Sequence, residues 1–324
     1  MKDALVRAGR TAGTGVRRVC SPRRIGGAGL EFAWVAAHLA AYPFGMATEK
    51  SRAAADRFTL SDLPPVKRGL VIGDVEAAGT PILLIHGLVD NRSIFTVLRR
   101  SLRRRGFGRV VTTNYSVLTH DVPGAARALG RQVEALCATT GYDRIHVVGH
   151  SLGGVIARYY VQCLGGDHRV HTLATLGSPH TGTRAAHLLP KALVGQLRPG
   201  SALMAELAAP APSCRTRFLA FHSDMDQLMV PKLTARIDHP DLAARNIALQ
   251  GVGHMSLPIH GRVVHEIVST FAHLDADGST LTPGVTAIDS TPPAAPGLEP
   301  LDRRVAQQQS LGARAGAEVD TRLG

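Results

Sequence analysis

From about Lys67 onward the chain alternates between short aliphatic runs of strand length and longer segments of helical period, and that alternation restricts the fold more than any other feature. GLVIG (69–73), PILLIHG (81–87), RVVTTNY (109–115), RIHVVGH (144–150), VHTLATLGS (170–178), RTRFLAFHS (215–223) and RNIALQG (245–251) read as buried strands. Between them, 93–106, Val122 to Cys137, Ser151 to Leu164 and Ile259 to Leu274 read as helices. Residues 183–212 are broken into short helices by Pro190, Pro199, Pro210 and Pro212. Strands separated by helices return to one sheet in parallel, so an α/β fold is expected: a mostly parallel sheet with helices on both faces. Functional groups in such sheets gather beyond the carboxyl ends of the strands.

Chemistry concentrates in Gly149-His150-Ser151-Leu152-Gly153-Gly154. A serine held on a sharp strand-to-helix turn needs neighbours without side chains, and glycines two before and two after it remove the collisions. A G-x-S-x-G pentapeptide alone is weak, because glycine-rich turns produce it by chance. Here it follows the strand IHVV and opens the helix VIARYYVQCL, which is the context a nucleophilic serine requires. Upstream, Ile85-His86-Gly87-Leu88 ends another strand. Backbone N–H groups of Leu88 and Leu152 are the candidates for stabilising an oxyanion. An orienting acid is expected after the strand ending near Ser223, where Asp224 and Asp226 compete and spacing does not separate them. A general base is expected at His254, in the glycine-flanked loop GVGHM, with His222, His239, His260 and His265 as rivals. The chain order serine, aspartate, histidine fits a nucleophile elbow.

HGLVDN, GHSLGG, LGSPHTGT and GVGHMSL together resemble the signature segments of bacterial lipases of the α/β-hydrolase superfamily, including the small triacylglycerol lipases; the likeness runs over roughly residues 80–270. The resemblance implies an α/β-hydrolase fold and ester hydrolysis through an acyl-enzyme. It favours Asp226 over Asp224 as the acid, because the lipase acid lies in a segment like S-x-x-D followed by apolar residues. It implies that Leu176 to Thr183 shape an acyl-binding wall, with no catalytic role for His180. A cap-like insertion is expected at about 183–212, where Leu188, Leu189 and Leu193, together with His86, are candidate substrate-binding residues. No cofactor or metal is called for, and no H-E-x-x-H spacing is present. A thioesterase or acyltransferase would use the same triad; an amidase and a non-catalytic membrane-associated scaffold are the further alternatives.

The ends of the chain look different. Residues 1–65 form a basic and then apolar extension, with Lys2, Arg7, Arg10, Arg17, Arg18, Arg23 and Arg24 preceding the apolar stretch Ile25 to Met46. A signal peptide, an interfacial helix on anionic lipid and a helix packed on the domain are all open for it. A membrane-associated or secreted location is slightly favoured. The catalytic domain is expected over 66–275, and 276–324, rich in Pro, Gly, Ser and Thr, reads as a disordered tail. A net charge of +12 attracts anionic surfaces. The run Arg99, Arg100, Arg103, Arg104 and Arg105 reads as a solvated helix face; without stacking aromatics it does not indicate nucleic acid. Cys20, Cys137, Cys163 and Cys214 form no C-x-x-C pair, and Cys137 and Cys163 are expected to be buried in helices.

Overall fold

A computed structural model of the chain describes residues 75–88, 92–113, 121–188 and 192–274. The expected strand at 69–73, the N-terminal extension and the C-terminal tail lie outside the described residues. Along the chain run α1 (Val75–Gly79), β1 (Ile82–Ile85), α2 (Thr96–Arg104), β2 (Val110–Thr113), α3 (Val122–Thr140), β3 (Ile145–His150) and α4 (Leu152–Cys163). They are followed by β4 (Val170–Leu176), α5 (Ala192–Gly195), α6 (Ala202–Ala208), β5 (Arg217–Ser223), β6 (Ala243–Leu249) and α7 (Gly261–Phe271). The six strands form one sheet in the order β2-β1-β3-β4-β5-β6, and every pairing is parallel. α1 was not expected; at five residues it is too short for a periodic signal.

Side-chain alternation along the strands divides the apolar core in two. Leu83, Ile85, Val147, Leu173 and Phe218 face α3 and α4, and pack with Leu129, Val133, Val155 and Ile156. Ile82, Leu84, Val148, Ala174 and Phe221 face the other way, onto Leu98 and Leu102 of α2 and Val263, Ile267 and Phe271 of α7. Because β2 lies on one side of β1 and β3 on the other, the chain crosses over β1 between them. The helices on its two flanks therefore cover opposite faces, which makes the carboxyl ends of β1 and β3 the switch point of the sheet.

Local signals place the helix ends. Asp121 caps α3 by accepting the Gly124 N–H, and Gly141 ends it in the left-handed region at φ 76°. The Gln196 side chain accepts the Val122 N–H at 2.8 Å, tying the start of α3 to the segment after α5. On α2, Leu98 and Leu102 are buried whereas Arg100, Arg104 and Arg105 face solvent. Cys137 is buried, but Cys163 is exposed, contrary to expectation: the last turn of α4 runs past the packed layer, and Leu164 beside it is also exposed. Among the described residues no helix is long and apolar enough to cross a membrane.

Phe271 closes the α2/α7 side of the core. It meets Phe107 edge-on at 6.4 Å and stacks on His146 at 4.2 Å with an interplanar angle of 9°. Burial, with smaller contributions from His171, Arg217 and Arg144, holds His146 well below the usual imidazole range, so its ring packs as a neutral aromatic. Phe271→Ala is expected to lower the unfolding free energy by about 3–5 kcal/mol in denaturant titrations, through lost contacts and the cavity left behind.

Candidate active site

β3 ends at His150 and α4 starts at Leu152, so Ser151 alone turns the chain. Its φ of 54° and ψ of −123° are unfavourable for a residue with a side chain, and it is the only non-glycine at positive φ among the described residues. The conformation costs on the order of 1–3 kcal/mol and must be held by its surroundings. The Ser151 N–H donates to the Leu176 carbonyl at the end of β4, at 2.9 Å, and the Gly154 N–H donates to the Ser151 carbonyl at 3.1 Å. A Cβ on Gly149 would lie 2.4 Å from Gly154 Cα, and one on Gly153 would lie 2.4 Å from the Ile85 carbonyl oxygen. The motif glycines thus let the first turn of α4 press on both β3 and β1.

Register aligns the ends of β1 and β3. Ile85 pairs with Gly149, so Gly87 and Leu88 leave β1 level with Ser151 and Leu152 as they leave β3. Leu152 is the first residue of α4, and its N–H has no intrahelical partner. His86 is buried, with Nδ1 2.8 Å from the Gly87 carbonyl oxygen.

The two aspartates part company in the fold. Asp224 is exposed and accepts the Gly251 N–H at 2.7 Å. Asp226 is fully buried, and its Oδ2 lies 2.8 Å from His254 Nδ1. Its Oδ1 accepts the N–H groups of Leu228 at 3.0 Å and Met229 at 3.1 Å. Burial pushes the Asp226 carboxyl up, but the His254 ring and these N–H donors outweigh it and leave the group below the usual carboxylate range. An ionised carboxylate only accepts, so the proton of this contact lies on His254 Nδ1. His254 comes from the loop after β6, and its carbonyl oxygen lies 3.1 Å from His150 Nε2, beside Ser151. The two rings are 4.7 Å apart. Elsewhere, His239 Nε2 lies 2.9 Å from the Ala209 carbonyl, and His260 and His265 belong to the start and the body of α7.

One residue that matters here was not singled out from sequence. Gly177, at φ 56° just after β4, sits where a Cβ would lie 2.7 Å from Asp226 Oδ2 and 3.1 Å from His254 Nδ1. Only its place in the LGSPHTGT segment, directly after a strand, could have flagged it. His180 is buried; its Nε2 lies 2.9 Å from Thr175 Oγ1, and its carbonyl accepts from Arg158 at 3.3 Å. Of the cap candidates, Leu188 is 82% exposed and Leu193 is buried in the α3/α4 side of the core, while Leu189 lies outside the described residues. Among the described residues no group of three or more His, Cys, Asp or Glu is placed to hold a metal ion.

Residues 80–198 match the model of the alpha/beta hydrolase fold family, and the described domain has that fold. Lipases are among the proteins it resembles. A triacylglycerol lipase of Vibrio cholerae is 32% identical over 114 residues, 34% of this chain and 35% of its own. A triacylglycerol lipase of Pseudarthrobacter phenanthrenivorans is 27% identical over 113 residues, 33% of this chain and 35% of its own. The chain therefore spans about a third of the length of these curated relatives. Among solved structures, Aspergillus fumigatus lipase B superposes with a TM-score of 0.54 at 15% identity, covering 67% of this chain and 61% of that one. A mature Bacillus licheniformis lipase gives 0.51 at 16% identity, covering 61% and 93%. At such identities the structural likeness is one of fold.

Because its folded pKa is depressed, Asp226 contributes stability that is present above the unfolded carboxylate pKa of about 3.9 and is lost as pH falls below it. The stability gap between wild type and Asp226→Asn is expected to shrink as denaturant titrations move from neutral pH to below about 4.

Proposed function

We propose that this chain is a serine hydrolase that cleaves carboxylic esters of lipid-like substrates through an acyl-enzyme, with Ser151 as nucleophile, His254 as general base and Asp226 as orienting acid. The observation that carries the reading is the buried 2.8 Å contact between Asp226 and His254, with His254 packed against His150, the residue before the strained Ser151 corner. His254 Nε2 takes the proton of Ser151 as its Oγ attacks the ester carbonyl. The Leu88 and Leu152 N–H groups receive the developing oxyanion, each donor contributing a factor of about 10²–10³. The imidazolium returns its proton to the departing alcohol, and a water activated by the same ring then hydrolyses the acyl-serine.

A lipid-like substrate is supported by the surface beside Asp226. The described residues hold six exposed large apolar side chains, and four of them, Leu188, Leu228, Val230 and Leu233, fall on two adjoining segments. The Arg184 N–H donates to the Val230 carbonyl at 2.9 Å and joins those segments directly. Exposed apolar side chains on segments joined in this way suit contact with apolar ligands. The relatives named triacylglycerol lipase point the same way. Within the proposed cap, Leu188 belongs to this surface, whereas Leu193 would act from the layer beneath.

Hydrolysis of p-nitrophenyl esters tests the chemistry. Ser151→Ala should lower kcat by about 10⁶ and abolish fluorophosphonate labelling. A variant that keeps its kcat within about tenfold would remove Ser151 from the mechanism. Chain length tests the substrate class: replacing Leu228 and Leu233 with serine should depress turnover of long-chain esters well beyond that of acetyl esters. Equal losses on both would leave the apolar surface with no part in substrate choice.

A further inference from the structure

Two loops meet beside the Asp226–His254 pair, one after β4 (177–184) and one after β5 (224–234). The His180 N–H donates to the Thr234 carbonyl at 2.8 Å, and the Arg184 N–H to the Val230 carbonyl at 2.9 Å. Further links run through the side chain of the buried Thr183. Its hydroxyl donates to the Leu228 carbonyl at 2.6 Å and accepts the Val230 N–H at 3.0 Å. It also receives the Ala185 N–H at 3.3 Å, as the cap of the short turn that follows.

The Leu228 carbonyl and the Met229 N–H belong to one peptide group, which is planar, with its oxygen and hydrogen pointing in opposite directions. Thr183 grips the oxygen side of that plane. On the hydrogen side, Met229 N–H donates to Asp226 Oδ1 at 3.1 Å, and Asp226 Oδ2 meets His254 Nδ1 at 2.8 Å. A continuous line of contacts thus runs from the Thr183 hydroxyl through a rigid peptide and a carboxylate to the imidazole.

We infer that Thr183 is a positioning residue for His254, acting through the Leu228–Met229 peptide and Asp226. The inference rests on the hydrolase reading above, in which His254 is the base. Without the hydroxyl, the part-buried Leu228 carbonyl and Val230 N–H lose this partner, and the peptide is free to turn. Asp226 then loses both a donor to Oδ1 and its fixed angle toward Nδ1. Capping the turn at 184–187 is a role Thr183 would also have in a purely structural account, and it predicts reduced stability without a change in the histidine.

The test compares wild type, Thr183→Ser, which keeps the hydroxyl, and Thr183→Val, which keeps the shape, with Thr183→Ala replacing the valine variant should that one not fold. Kinetics on p-nitrophenyl butyrate are read well below each Tm, and the low-field proton resonance of His254 Nδ1–H is followed without substrate. The expected result for Thr183→Val is a kcat lower by about 10² with KM within about twofold, while Thr183→Ser stays within about threefold of wild type. The resonance should persist in wild type and Thr183→Ser and shift or vanish in Thr183→Val. Retained kcat in the valine variant, equal losses in serine and valine, or an unchanged resonance would each overturn the inference. Failure of the hydrolase reading shows separately, as wild-type turnover that survives Ser151→Ala.

Discussion

The carboxyl end of the sheet is organised around a single uphill backbone conformation. A residue carrying a Cβ relaxes out of φ 54° unless every alternative is blocked, and at Ser151 the blocking comes from both sides. Its N–H is tied to the end of β4, and the first turn of α4 lies so close to β1 that Gly153 has room for nothing larger than hydrogen. The strain is stored by the sheet, whose β1, β3 and β4 are buried throughout and paired in parallel. What the conformation achieves is exposure. Ser151 is partly accessible while the residues on either side of it are buried.

The same packing principle governs the groups delivered from farther along the chain. Asp226 follows β5 and His254 follows β6, and Gly177 at the end of β4 leaves the gap in which their side chains meet. A buried carboxylate is costly unless its lone pairs are occupied, and here two backbone N–H groups and an imidazole occupy them. The pair is therefore oriented by rigid neighbours, the condition that catalysis by positioning requires. Loops leaving neighbouring strands do this work because each is anchored at a strand end.

Much of this was legible in the sequence where the cause is local. The strand–helix alternation carried the parallel sheet with helices on both faces, and the glycine spacing around Ser151 carried the turn, because both depend on residues near one another along the chain. Asp224 and Asp226 could not be separated by spacing, since both follow β5; they differ in what they reach, Asp224 turning to Gly251 and Asp226 to His254. Gly177 and Thr183 stayed silent for a related reason. Thr183 acts on peptide groups 45 and 47 residues away, and no periodicity or motif rule encodes such a contact. Cys163 was misplaced because helical period locates a face but not the point where a helix leaves its packed layer.

The most direct test of the account is the crystal structure of the chain after inactivation by an alkyl phosphonate ester. Phosphorus should be bonded to Ser151 Oγ, its phosphonyl oxygen about 2.7–3.1 Å from the N–H groups of both Leu88 and Leu152, with His254 Nε2 facing the ester oxygens. Phosphorus on any other residue, or a phosphonyl oxygen turned away from both N–H groups, would contradict it.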